Sequence, residues 1–170
     1  MRHLILMRHG KAVGASATGD HGRALSPRGR AEALEAARRM AALARPGAVL
    51  VSDSTRTRET LDSAAPALPP DMARRVTRNL YGAGADAILG EIRATPDDVA
   101  TLLVIGHNPG IGDLARRLAR DGEDATLARL AEGFPTSCFA VVDLAVDGWS
   151  ALDSPGRLAF LLPADARSGG

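Results

Sequence analysis

The sequence predicts an α/β domain, a three-layer sandwich in which a mostly parallel central sheet is covered by helices on both faces. Three observations predict it. The uninterrupted apolar runs Leu4–Met7, Ala48–Val51 and Leu102–Ile105 read as strands buried on both faces, as central parallel strands are. After each run the chain turns and then places apolar residues three and four apart, the spacing of a helix that packs one face on a sheet. The 170 residues suit one ordinary domain with a substantial core, assigned to residues 1–163, with 164–170 as a tail.

Taken in order, the first strand covers His3 to Arg8 and empties into a glycine-rich loop from Gly10 to Arg23. Ser26-Pro27 then starts a helix, serine as cap and proline in the first turn, with Ala33, Leu34, Ala37, Met40, Ala41 and Ala44 as its apolar stripe. Arg45-Pro46-Gly47 ends it. Ala48–Val51 is the second strand, and Ser52-Asp53-Ser54 turns into a helix over Thr55–Ala65 that Pro66 stops. A minor strand is expected at Ala73–Thr77 and a helix at Asp86–Ala94 with Ile88, Leu89 and Ile92 inward. Thr101–Ile105 is the next strand; Pro109 then opens a helix whose buried stripe is Ile111, Leu114, Ala115 and Leu118. Asp121 to Phe134 reads as loop with a short helix, and Ser137–Leu144 as a strand. Asp147-Gly148 reads as a tight turn with Trp149 beginning the return, and Arg157–Leu162 as a last strand ended by Pro163.

Composition removes several function classes. Basic and acidic residues number 21 and 20, so there is no broad positive face for nucleic acid or an anionic membrane. No segment approaches a transmembrane helix, and the first apolar run stops at Met7, so neither a membrane span nor a secretory signal is supported and the expected location is the cytoplasm. Cys138 is the single cysteine and sits in a strand-like run, as a buried inert thiol would. No Cys/His spacing resembles a zinc site, and neither metal nor cofactor is expected.

The candidate site lies where strands end. Arg8 and His9 close the first strand, and the carboxyl edge of an open α/β sheet is where ligands bind. A guanidinium beside an imidazole suits a phosphoryl group: arginine offers a fixed fork of donors, and histidine a nitrogen that can donate, accept or attack. Arg56 falls in the first turn of its helix, where a phosphate would also meet free amide donors. His107 repeats the strand-to-loop placement of His9. By contrast, His3 reads as a strand-start residue tolerated at the sheet edge, Arg28 as a first-turn surface residue, and Arg116, Arg117 and Arg120 as the wet face of one helix.

Arg8-His9-Gly10-Lys11-Ala12, Leu25-Ser26-Pro27-Arg28-Gly29, Ser52 with Arg56 and Thr60, Gly106-His107-Asn108-Pro109-Gly110, Phe134-Pro135-Thr136 and Asp147-Gly148-Trp149 occur in an ordered set spanning nearly the whole chain. The set resembles the histidine phosphatase superfamily, of phosphoglycerate mutase-like fold, and within it the SixA-type phosphohistidine phosphatases. The resemblance implies that His9 is the nucleophile, transiently phosphorylated, that Arg8 and Arg56 bind phosphoryl oxygens, and that His107 completes the pocket. It extends to Asn108 and Arg23, and Gly10 and Lys11 beside the nucleophile complete the expected phosphate-binding set. Thr57 and Glu59 stand where the family more often has alanine and glutamine.

The chemistry is consistent with this. Phosphoryl transfer asks for in-line positioning and neutralised oxygens, which two arginines and a second histidine can supply without a metal. The nucleophile needs one unprotonated ring nitrogen, so its other nitrogen should donate to a fixed acceptor, such as a backbone carbonyl near Gly10. Ester-cleaving relatives place a glutamate after the third strand, yet Arg74–Gly84 contains no carboxylate. The expected substrate is therefore a histidine-phosphorylated protein, with a phosphorylated small molecule as the alternative and Asp20, His21 or Asp86 then available as its acid. A non-catalytic phosphate-binding module is disfavoured by the presence of all four core residues. A metal site built from His9, His107 and His21 is the poorest reading.

Overall fold

The computed structural model describes residues 1–162, so residue 163 of the expected domain and the expected tail 164–170 lie outside the described residues. Seven strands form one sheet: β1 (Arg2–Arg8), β2 (Ala48–Ser52), β3 (Ala73–Thr77), β4 (Thr101–Gly106), β5 (Ala119–Gly122), β6 (Phe139–Leu144) and β7 (Gly156–Leu161), in the order β3-β2-β4-β1-β6-β7-β5. Strands β3, β2, β4 and β1 run parallel, and β6 returns antiparallel between β1 and β7.

Period-two alternation along the central strands divides the apolar residues between two cores. Leu4, Leu6, Leu50, Leu102 and Val104 face α3 (Ala85–Arg93), α4 (Gly110–Leu118) and α5 (Asp124–Glu132), which contribute Ile88, Ile92, Ile111, Leu114 and Leu130. Ile5, Met7, Val49, Val51, Leu103 and Ile105 face α1 (Pro27–Leu43) and α2 (Thr55–Ala64), which bring Ala36, Ala37, Met40 and Leu61. Leu4, Ile5, Leu6 and Met7 are all 0 % exposed, which explains why the first strand reads as an unbroken apolar run. The expected Ser26 cap forms, accepting from the Gly29 amide, and within the Ser52–Ser54 turn it is Ser54 that caps α2, accepting from the Thr57 amide.

Several expectations need correction. Ala119–Gly122 is a short strand paired with β7, so Arg120 lies on an edge strand beyond the helix. Its composition, Ala-Arg-Asp-Gly, carries no strand signal, and pairing alone makes it one. Trp149 does not begin the return strand; it opens a 3₁₀ turn, fully buried, with its indole N–H donating to the Val99 carbonyl at 2.7 Å. Pro109 immediately precedes α4 rather than lying inside it. His3 sits in a central strand, not at an edge, and pairs across to Asp143 of β6 at 2.7 Å. Among the described residues, no helix is long and apolar enough to cross a membrane.

Candidate active site

Strand register assembles the site. Arg8 lies beside Gly106 in the parallel β1–β4 pair, so the next residues, His9 and His107, leave the sheet side by side with ring centroids 5.3 Å apart. On the other flank of β4, Val51 pairs with Ile105, which brings Ser52 to the same edge. Two residues later the Ser54 cap turns the chain into α2, and Arg56, in its first turn, reaches back over both imidazoles.

The imidazole of His9 is held by its neighbour. Its Nδ1 lies 2.8 Å from the Gly10 carbonyl, which can only accept, so Nδ1 carries the hydrogen and Nε2 is left with a lone pair. Arg56 Nε–H donates to that lone pair at 3.2 Å. Burial lowers the His9 pKa from 6.5 to about 4; the Gly10 bond opposes this, and the nearby Arg56, Arg8 and Arg23 charges add to it. His107 follows the same logic: burial first, then His9 and Arg56, lower it to about 3. Its Nδ1 accepts from Arg56 Nη2 at 3.3 Å, so its Nε2–H donates to Ser52 Oγ at 2.8 Å. Both rings are neutral at pH 7.

Arg8, His9, Lys11, Arg23, Arg56, His107 and Asn108 line one cavity of about 220 Å³. Arg8 Nη1 and Asn108 Nδ2 share the Phe134 carbonyl as acceptor, at 3.3 and 2.6 Å, and Arg23 Nε donates to the Val13 carbonyl at 2.8 Å. Gly10 is the exception to the expected set. It does not line the cavity; its N–H goes to Thr60 Oγ1 at 2.9 Å and its carbonyl to His9. A Cβ there would lie 2.8 Å from the Gly29 carbonyl oxygen, so Gly10 is needed for close packing behind the His9 ring. Thr60 in turn donates to the Arg56 carbonyl at 2.7 Å within α2, so the loop after β1 is tied to that helix.

The two departures from the family pattern are accommodated. Thr57, fully buried, donates its hydroxyl hydrogen to the Ser52 carbonyl at 2.7 Å, and Glu59 accepts from the Leu25 amide at 2.6 Å while pairing with Arg30 at 2.9 Å.

Of the three candidate acids, only Asp20 contacts this arrangement. Asp86 on α3 pairs with Arg117, and His21 Nε2 with Asp53 at 2.8 Å. The Asp20 carboxylate accepts from the Tyr81 hydroxyl at 2.7 Å, Arg23 Nη1 at 3.0 Å and Arg56 Nη2 at 3.1 Å, and these donors hold it far below the usual carboxylate range. Tyr81, the only tyrosine, belongs to none of the sequence motifs. Nothing local marks it: its contact with Asp20 spans 61 positions. No group of three or more His, Cys, Asp or Glu side chains placed to hold a metal occurs among the described residues.

A family model described as the histidine phosphatase superfamily (branch 1) matches residues 4–80. An uncharacterized protein of Mycobacterium tuberculosis is 42 % identical over 158 residues, 91 % of this chain and 96 % of its own. A solved structure assigned as phosphohistidine phosphatase SixA from Nakamurella multipartitia superposes with a TM-score of 0.82 at 33 % identity, covering 96 % of both chains. This chain belongs to the histidine phosphatase superfamily. Within that superfamily it is SixA-like in length and topology. The protein histidine phosphatase SixA complexed with tungstate also aligns, with a TM-score of 0.71 at 26 % identity over 95 % of this chain and 96 % of that one. This histidine phosphatase thus has the fold expected from its motifs, and its four core side chains are gathered at one sheet edge.

Proposed function

We propose that this phosphatase hydrolyses phosphate from a phosphorylated histidine on a protein, without a metal, through a covalent phospho-His9 intermediate. The observation that carries the reading is the His9 ring: a neutral imidazole with its Nδ1–H fixed on the Gly10 carbonyl and its Nε2 lone pair at the cavity, among Arg8, Arg56 and His107.

An arriving phosphoryl group separates Arg56 from His9. One oxygen takes the Arg56 Nε–H while phosphorus approaches the exposed Nε2, so the contact that occupies the nucleophile at rest becomes a contact to the substrate. Arg8 and Arg56 neutralise the equatorial oxygens. The dianion draws a proton toward His107, whose neutral state at rest reflects burial and two nearby cations, Arg56 and Arg8. In the first step the His9 Nε2–P bond forms and the substrate P–N bond breaks, the substrate imidazole leaving as a neutral ring whose other nitrogen carries the proton. In the second, water attacks phosphorus, the His9–P bond breaks, and inorganic phosphate departs.

The substrate class follows from the leaving group. A phosphohistidine ring protonated at its other nitrogen leaves as neutral imidazole without an acid, whereas an alkoxide needs one. Asp20, the carboxylate that touches Arg56, accepts from three donors and is ionised, so it has no proton to give. Phosphate release is measured from a histidine-phosphorylated carrier protein and from p-nitrophenyl phosphate, with wild type and His9→Ala, in the presence of a chelator. Release from the carrier that survives chelation and disappears in His9→Ala is expected. Release from the ester alone would retain the nucleophile and discard the substrate; release abolished by the chelator would discard the metal-free mechanism.

A further inference from the structure

We infer that Asp20 is a positioning residue for Arg56, held in place by Tyr81, and that the pair fixes the guanidinium plane across the nucleophile. The inference rests on the phosphoryl-transfer reading of the same cavity.

Arg56 is a long side chain carrying two tasks, and a flexible one would do neither well. Its inner edge meets the two imidazoles, both neutral and both at more than 3 Å: His9 Nε2 at 3.2 Å and His107 Nδ1 at 3.3 Å. Its outer edge is held by one residue through two acceptors. The Asp20 carbonyl takes Nη1 at 2.8 Å and the Asp20 carboxylate takes Nη2 at 3.1 Å. Two parallel bonds from one residue define the plane as well as the position of a guanidinium.

Asp20 needs an anchor of its own, because it sits in a 3₁₀ turn of only three residues within the long loop after β1, entered through Gly19 at φ +85°. Tyr81 provides that anchor from the far side of the site, in the segment following β3. A carboxylate can only accept, so the phenol hydroxyl donates to Oδ2 at 2.7 Å. The Tyr81 ring is itself wedged, edge-on to His21 at 4.8 Å and to His107 at 5.5 Å, with the Arg56 guanidinium 5.9 Å from its centre. The charged and titratable groups around Asp20 are Arg23 of its own loop, Arg56 of α2, Tyr81 and His21, with His107 beyond Arg56 and Arg78 beyond Tyr81. Asp20 therefore orients the cation that binds the phosphoryl group and does not touch the reacting atoms.

A competing role is physically distinct. An anion on Arg56 could instead occupy the phosphate's place, and its removal would then free the site. The kinetic split separates the two. With phosphoramidate as substrate, Asp20→Asn is expected to lower kcat roughly tenfold or more, the scale of one charge-assisted hydrogen bond, while KM stays level or falls because a negative charge beside the phosphoryl site is gone. An unchanged or raised kcat would overturn the proposal. Tyr81→Phe keeps the ring and removes only the hydroxyl; it should lower kcat in the same direction, and wild-type kcat there would overturn Tyr81 as the anchor.

A second readout needs no turnover, so it stands apart from the substrate assignment, which His9→Ala tests. Tyr81 is the only tyrosine, and its bond to Asp20 raises its pKa above 10, so tyrosinate absorbance reports that one contact. Its midpoint should fall in Asp20→Asn and stay put when inorganic phosphate saturates the wild type. A midpoint that falls with phosphate would show Asp20 displaced by the ligand and would overturn the proposal. Fluorescence of Trp149, the only tryptophan and fully buried, verifies that each variant is folded.

Discussion

Acidifying the protein from pH 7 to pH 4.5 puts a proton on two imidazoles in the unfolded chain that the folded pocket refuses. In the unfolded state His9 and His107 titrate near 6.5, and in the folded state near 4 and near 3. At pH 4.5 the unfolded chain therefore binds about two more protons than the folded one at these positions. Stability is complete above the unfolded value and is lost as pH falls toward the folded values. Two pH units below 6.5 correspond to roughly 2 to 3 kcal/mol for each histidine. Because both rings remain mostly neutral in the fold at pH 4.5, repulsion between them is not yet engaged, and the two costs add to about 5 kcal/mol, a large share of an ordinary domain's stability. Urea unfolding followed by Trp149 fluorescence at the two pH values measures it in wild type and in the double variant His9→Asn/His107→Asn. Carboxylate titrations common to both proteins cancel, and the variant should lose about 5 kcal/mol less than wild type. Equal losses would refute the claim that the pocket excludes protons.

Further outcomes follow from single contacts. Arg56→Lys keeps the charge but cannot bridge His9, His107 and Asp20 with one planar fork, and kcat/KM should fall by roughly 100-fold or more, against a near-normal value if charge alone matters. In Gly29→Ala the new Cβ would stand 2.1 Å from the Lys11 carbonyl oxygen, so unfolding midpoints should drop by an amount equivalent to about 3 kcal/mol; a loss under about 1 kcal/mol would mean that the loop yields freely. Ser137 sits at φ 58°, fully buried, with a hydroxyl that has no hydrogen-bond partner among the described residues. Ser137→Gly relieves both penalties and should stabilise the fold by about 1 kcal/mol; destabilisation in the same urea assay would count against strain at this position.

Much of the site is legible in the sequence because its carriers are local. Arg8-His9 and Gly106-His107 announce themselves by ending apolar runs, and Arg56 follows a serine cap by two residues, so strand order alone brings them together. The Gly10 carbonyl as partner of the His9 ring is local too, one residue away. What escapes is non-local or conformational. The Asp20–Tyr81 bond joins a loop and a turn that no periodicity connects, and Asp20 reads as a candidate acid until its three donors are seen. Strand β5 is polar and short, held by pairing with β7 rather than by its own preference. Trp149 follows an Asp-Gly pair that ordinarily marks a hairpin, yet the chain makes a 3₁₀ turn first, because the indole is drawn to the Val99 carbonyl and its amide to Asp97. Gly29 reads as part of a helix start; that it supports the Lys11 backbone is visible only in three dimensions.

The bond between His9 Nδ1 and the Gly10 carbonyl has a bearing on how such a site can change over generations. The acceptor that sets the tautomer belongs to the next residue's backbone, so no substitution elsewhere in the pocket deletes it. Mutations at the rim, on the loop after β1 or at the Phe134 turn can alter the cavity's mouth without altering which nitrogen of His9 carries the hydrogen. The ring's tautomer is inherited with the main chain, and the surrounding side chains are left open to diversify around it.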